Sequence, residues 1–157
     1  KRIGMFNVRV YGIYINEPCQ VLVSDEYIRG KYYTKFPGGG LEHGEGTRDC
    51  LKREFMEEMD LKIEVEQHIY TTDFYQQSAF NPADQIISIY YAIKPMEPIK
   101  FKLVHKPFDF TPAQLEIYKK NNSIETFRFI DKTVFSSEML TFPIDKIVAD
   151  IIVEKFL

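Results

Sequence analysis

The sequence predicts one mixed α/β domain spanning residues 1–157, and three observations support that. The chain is long enough to close a real hydrophobic core. Period-two alternation and helical spacing take turns along it. No linker, repeat or low-complexity stretch interrupts it.

The elements follow in order. Residues 7–15 alternate, Val8, Val10, Gly12 and Tyr14 against Arg9, Tyr11, Ile13 and Ile15, which predicts a strand buried on at least one face. Asn16, Glu17 and Pro18 make a turn, and the run QVLVS at 20–24 is expected to return as the antiparallel partner. Residues 31–36 read as a short aromatic strand running into Pro37 and a glycine-rich turn. Thr47 offers an N-cap, and residues 48–59 contain no breaker, so a helix of about three turns follows. Residues 62–75 look extended, 81–84 form a loop, and QIISIYYAI at 85–93 is the strongest strand of the chain. Thr111, Pro112 and Gln114 supply a cap, a first-turn proline and a capping-box partner, predicting a short helix to Lys120. Residues 124–130 form the last strand. A closing helix from Pro143 sets Ile144, Ile147, Val148, Ile151 and Ile152 at helical spacing as a docking face.

Composition excludes several functions. An apolar fraction of 45% and a charged fraction of 27% are ordinary for a soluble globular protein. The net charge of −3 provides no general attraction to nucleic acid or to an anionic membrane. No apolar run approaches the roughly 20 residues needed to span a bilayer. The basic N-terminal stretch lacks the apolar core of a signal peptide. Cys19 and Cys50 form no zinc spacing and read as buried or free thiols, so the cytoplasm is the expected compartment. His43, His68 and His105 form no cluster.

The chemistry concentrates in FPGGGLEHGEGTRDCLKREFMEEMDL, residues 36–61. On a helix, Glu54, Glu57 and Glu58 stand at i, i+3 and i+4 and project together, while Leu51, Phe55 and Met59 face the core. Like charges one turn apart repel by a few tenths of a kcal/mol per pair, and the C-terminal end of the helix dipole disfavours them further. A cation is the natural compensation, and clustered carboxylates choose hard ions such as Mg²⁺, Mn²⁺ or Ca²⁺. Taken alone, an acidic helix face is more often simply solvated. The glycines upstream change that balance, because they let backbone approach a ligand without Cβ obstruction. They are neither a dinucleotide fingerprint nor a GxxxxGK[ST] phosphate loop.

Gly39, Glu45, Arg53, Glu54, Glu57, Glu58 and Leu61 form a fixed-spacing array that resembles the Nudix box, G-x5-E-x7-R-E-U-x-E-E-x-G-U with U a bulky aliphatic. At about 6% usage per residue type, six such polar and glycine matches arise by chance roughly once in 10⁵ chains of this length. Two positions depart: Phe55 stands at the first U, and Asp60 replaces the glycine that would serve as a left-handed cap.

The resemblance implies an α/β/α sandwich with a central mixed sheet. It implies a metal-dependent hydrolase that cleaves the diphosphate of a nucleoside diphosphate linked to another moiety X, by attack of water on phosphorus. Glu57 and Glu58 would hold Mg²⁺ or Mn²⁺, with the Gly39 carbonyl close by. Glu54 would be a further metal ligand or the base. Arg53 would orient the cluster through an ion pair with Glu45. A base outside the box is common in the family, and here Glu125 is preferred to Glu116. Phe74, Tyr75 and Phe80 flank the loop where many relatives recognise X, and Arg9 could meet a phosphate. The resemblance leaves a homodimer open and implies a small nucleotide-derived substrate. A decapping enzyme is a further option, but the absence of a basic stripe argues against long RNA. The alternative is a Nudix-fold ligand-binding or regulatory module without turnover. Such modules tend to lose box carboxylates, whereas Glu45, Glu54, Glu57 and Glu58 are all retained.

Overall fold

The alternation of residues 7–15 becomes β1, Phe6–Ile13, and both of its edges are occupied. On one side β4, Gly38–Gly40, pairs antiparallel with it, Arg9 opposite Gly40 and Tyr11 opposite Gly38. On the other, β6, Gln85–Pro95, pairs with it in parallel along its whole length. β5, Ile63–Thr71, completes a mixed four-stranded sheet of order β4-β1-β6-β5. The glycines therefore form a strand where a turn was expected. The missing side chains allow this: a Cβ at Gly38 would collide with the Val10 carbonyl oxygen.

The computed structural model describes residues 3–157; Lys1 and Arg2, which begin the basic N-terminal stretch, lie outside the described residues. The chain divides into two compact units, and the four-stranded sheet belongs to the first, residues up to Ile13 together with Gly38–Lys100. Helix α1, Thr47–Met59, packs Cys50, Leu51, Phe55 and Met59 into this unit's core, with the Phe55 ring against the open face of Gly12. Its N-cap is Gly46, with no side-chain cap bond, rather than Thr47. Thr47 is drawn into the first turn because its hydroxyl shares a 2.7 Å hydrogen bond with the Tyr91 hydroxyl on β6.

The second unit comprises Tyr14–Pro37 and Phe101–Leu157. Its sheet is antiparallel, of order β3-β2-β7, from β2 (Gln20–Ile28), β3 (Lys31–Lys35) and β7 (Ser123–Asp131). The expected hairpin of β2 with the preceding strand shrinks to a single bridge, Ile15 to Val21. β1 has no free edge left for it, so β2 pairs instead with β7, about a hundred residues away in sequence. Helix α2, Pro112–Asn121, carries the predicted capping box on Thr111 and Gln114, and Tyr118 stacks on Tyr27 with ring centroids 4.2 Å apart. Helix α3, Pro143–Lys155, buries Ile144, Val148 and Ile152 of its apolar stripe, while Ile147 stays partly exposed. No helix of the described residues is long and apolar enough to cross a membrane.

Candidate active site

Helix α1 brings Arg53 and the carboxylates of the array together around one guanidinium. Arg53 Nε donates to Glu45 Oε2 at 3.0 Å, and Nη2 donates to Glu45 Oε1 at 2.7 Å. Nη1 donates to Glu54 Oε1 at 3.0 Å and to Glu57 Oε2 at 3.2 Å, and lies 3.6 Å from Glu42 Oε1. Nη2 also donates to the Gly40 carbonyl at 3.1 Å, which ties the helix to the glycine strand. A bidentate pair of this kind is directional as well as charged. The Arg53 fork and the Glu42 amide hold the Glu45 carboxyl down to about 2, so it is ionised throughout any ordinary assay range. Glu45 in turn raises the Arg53 guanidinium above its usual value. Burial pushes the Cys50 thiol up to about 12; its Sγ donates to the Gly40 carbonyl at 3.5 Å, which makes it an inert packing group.

Gly39 faces the helix. A Cβ there would overlap the Glu54 carboxylate, so glycine is required for Glu54 to lie against the strand. Glu57 and Glu58 occupy the exposed last turn. Arg53 alone meets four carboxylates, those of Glu42, Glu45, Glu54 and Glu57, with Glu58 beside them on the helix. This surplus of negative charge, presented by hard oxygen donors next to a backbone cradle, suits a divalent cation. Among the described residues no three acidic, histidine or cysteine side chains already converge as a closed cage. The residues thus fit an ion bound partly by substrate, in the manner of Mg²⁺ with phosphates.

Asp60, at the box glycine position, adopts the left-handed cap with φ 48° and donates its amide to the Met56 carbonyl at 3.1 Å. The conformation that glycine would favour is kept by an aspartate, whose carboxylate lies 3.3 Å from Lys100 Nζ. Asp60→Gly is expected to raise stability by about 0.5–1 kcal/mol, because relief of left-handed strain outweighs an exposed ion pair. Urea unfolding of the two proteins measures this; equal or lower stability of the variant contradicts it.

The expected substrate residues of the first unit lie on β1 and on the loop between β5 and β6. Arg9 is opposite Gly40 and donates from Nε to the Tyr11 hydroxyl at 2.7 Å. Residues alternate across β1, so Gly12 faces α1 while Arg9 and Tyr11 point to the other side of the sheet. Phe74, Tyr75 and Phe80 are exposed on the loop between β5 and β6. Ser78 Oγ accepts the amides of Phe80 and Asn81, which shapes that loop.

The two outer candidates for a base lie in the second unit. Glu116 is exposed and, among the described residues, pairs with Lys119 at 2.9 Å along the same helix. Glu125 is held among Ser24, Glu26 and Lys35 on one face of the antiparallel sheet. The sequence carries no signal for Ser24 and Lys35, which reach Glu125 only across paired strands. Nor does it signal the Gly40 carbonyl as a second anchor of Arg53.

The helix, its braced carboxylates and the glycine strand beside it match one protein family. The family model for the NUDIX domain matches residues 5–136, so the chain belongs to the Nudix family. Solved structures agree on the fold. The E. coli ORF135 protein superposes with a TM-score of 0.67 at 13% identity, covering 97% of this chain and 91% of that one. The MutT protein from Methanosarcina mazei Go1 gives 0.65 at 13% identity, covering 100% of both. A NUDIX hydrolase from Nitrosomonas europaea gives 0.59 at 16% identity, covering 92% of this chain and 86% of that one. No curated protein sequence matches the chain.

Proposed function

We propose that the protein is a Mg²⁺-dependent pyrophosphohydrolase, with Mn²⁺ as an alternative ion, that cleaves the diphosphate of a small nucleoside diphosphate derivative. The observation that carries this reading is the convergence of Glu45, Glu54 and Glu57 on Arg53 beside Gly39 and Gly40. Glu57, Glu58, Glu54 and the Gly39 carbonyl would hold the ion, which when bound offsets phosphate charge and makes water more acidic. Arg53 orients Glu54 and Glu57, with Glu45 as its fixed counter-charge. In the reaction a water oxygen bonds to phosphorus as the anhydride P–O bond breaks, and the leaving phosphate oxygen keeps the electron pair. A carboxylate takes the proton of the water; Glu54 and Glu125 are the groups proposed for this, with Glu125 preferred over Glu116 outside the box. Phe74, Tyr75 and Phe80 offer exposed rings that could stack on a base of the substrate, and Arg9 a guanidinium for its anionic groups.

The whole chain, 1–157, is proposed to act as one such domain, in the cytoplasm, where its two free thiols would stay reduced. A panel of ADP-ribose, UDP-glucose, diadenosine polyphosphates and deoxynucleoside triphosphates, assayed with Mg²⁺ and with Mn²⁺, tests the reading. Metal-dependent turnover of at least one is expected, and chelation should abolish it. Binding without turnover on the whole panel would convert the protein into a ligand-sensing module.

A further inference from the structure

Tyr91 on β6 fastens helix α1 to its own sheet, at a place that the box motif does not include. Gly12 and Tyr91 stand side by side in the parallel register of β1 and β6, and both face α1. The Phe55 ring occupies the space over Gly12, while the first turn of the helix closes on Tyr91. Thr47 Oγ1 and the Tyr91 hydroxyl share a 2.7 Å hydrogen bond, and the Arg48 guanidinium lies 4.7 Å from the centre of the Tyr91 ring. Arg48 Nη1 also donates to the Val65 carbonyl on β5 at 2.8 Å. The His68 imidazole of β5 meets the Tyr91 ring edge-on at 5.8 Å, so the tyrosine is itself held in place.

These contacts replace the local fastening that a helix start usually has. Threonine is a favoured N-cap, yet Gly46 takes that position without a side-chain bond, and the Thr47 hydroxyl is committed to the sheet. The loop leading in contains Gly44, at φ 94°, and Gly46, and glycine backbone constrains the entry least. The second half of the helix is tied to β4, where Arg53 donates to the Gly40 carbonyl at 3.1 Å. With Phe55 as the contact between, the tilt of the helix is set only when both ends are fixed. At 1.5 Å per residue, Glu54 lies about 10 Å and Glu57 about 15 Å along the helix from Thr47, so a shift at the start reaches both. Glu54 tolerates little movement, because its carboxylate fills the space that a Gly39 Cβ would take. A misplacement of about 1 Å, even when caused far from the chemistry, can slow a reaction by up to about a hundredfold.

We propose that Tyr91, Thr47 and Arg48 are positioning residues for the ion-binding carboxylates: they fix the first turn of α1 on β6 and so set where Glu54 and Glu57 stand against the glycine strand. The proposal rests on the hydrolase reading above and extends its machinery to the opposite end of the helix.

The test takes two readouts on wild type, Tyr91→Phe, Tyr91→Leu, Thr47→Val, Thr47→Ser and Arg48→Met, each held well below its melting temperature. Mn²⁺ affinity without substrate is read by electron paramagnetic resonance. With Mg²⁺, kcat and KM are measured on whichever of ADP-ribose, UDP-glucose or dGTP the wild type turns over fastest. Tyr91→Phe, Thr47→Val and Arg48→Met are expected to weaken Mn²⁺ binding about three- to tenfold and to lower kcat by as much, with KM changed less than about threefold. Thr47→Ser keeps the hydroxyl and should retain the wild-type values, whereas Tyr91→Leu should lose at least about tenfold in both. If Tyr91→Leu fails to fold, the milder variants carry the decision. Tyr91→Phe and Thr47→Val with lowered melting temperatures but wild-type Mn²⁺ affinity and kcat overturn the proposal, because the contacts then serve stability alone; the hydrolase reading would still stand. Wild-type protein that binds Mn²⁺ but turns over no probe overturns the hydrolase reading, and the affinity series still decides the role of Tyr91. Neither binding nor turnover overturns both.

Discussion

Glu57→Gln is expected to lose at least about a hundredfold in Mg²⁺-stimulated hydrolysis while the fold remains intact. The two halves of this expectation come from different observations. The Glu57 side chain is more than half exposed and is met by Arg53 Nη1 at 3.2 Å, so losing its charge removes little native packing. Exposed i to i+4 pairs contribute only about 0.3–0.5 kcal/mol. As a donor to a divalent ion, however, a glutamine offers a neutral oxygen where the diphosphate chemistry calls for an anionic one. The variant should therefore melt within a few degrees of the wild type, bind Mg²⁺ more weakly in a metal titration, and turn over slowly even at saturating substrate. Hydrolysis at the wild-type rate would remove Glu57 from the metal-binding set.

Asp25→Ala should have the largest effect on stability, and it acts far from the box in sequence. Asp25 is fully buried on β2 and saturated with donors. Oδ2 accepts from Arg128 Nε at 2.6 Å and from the Phe108 amide at 3.3 Å; Oδ1 accepts from Thr34 Oγ1 at 2.7 Å and from Arg128 Nη2 at 3.3 Å. Removing the carboxylate strands a nearly buried guanidinium and releases Phe108, which anchors the segment leading into α2. Breaking a buried pair from one side costs about 3–5 kcal/mol, because the partner charge is left without compensation. Asp25→Ala is thus expected to lose that much in denaturant unfolding. Adding Arg128→Met should restore a large part of it by removing the orphaned charge. A single-variant loss below about 1 kcal/mol would show that the ion pair does not hold this unit together.

These two residues mark how far the sequence could be read. Glu57 belongs to a helix whose carboxylates are neighbours because the backbone repeats every 3.6 residues, so their convergence was visible in spacing alone. The capping box on Thr111 and Gln114 was equally local, whereas the Arg53 bonds to Glu54 and Glu57 were seen only in the structure. Asp25 and Arg128 are separated by about a hundred residues and meet only because β2 pairs with β7. Nothing in QVLVS announces that partner, and the nearer candidate, β1, was already occupied on both edges.

The glycines show the boundary most clearly. Their small size announced a close approach, but a turn and a strand both explain it locally. The decision fell to long-range pairing, which set Gly38, Gly39 and Gly40 against Tyr11, Val10 and Arg9 and placed Gly39 under Glu54. Thr47 was similar: its hydroxyl could cap the helix, but Tyr91 claimed it.

The sequence by itself determined the mixed α/β character, the acidic helix with its apolar face, and the array of glycine, arginine and glutamates that carries the chemistry. All of these follow from local periodicity and fixed spacing along one segment. Only the tertiary structure decided which strands pair, that the glycines form a strand edge, and that Lys35 and Ser24 grip one oxygen of Glu125. Those outcomes depend on contacts between residues far apart in the chain, where an edge already taken or a buried charge in need of a partner settles the choice.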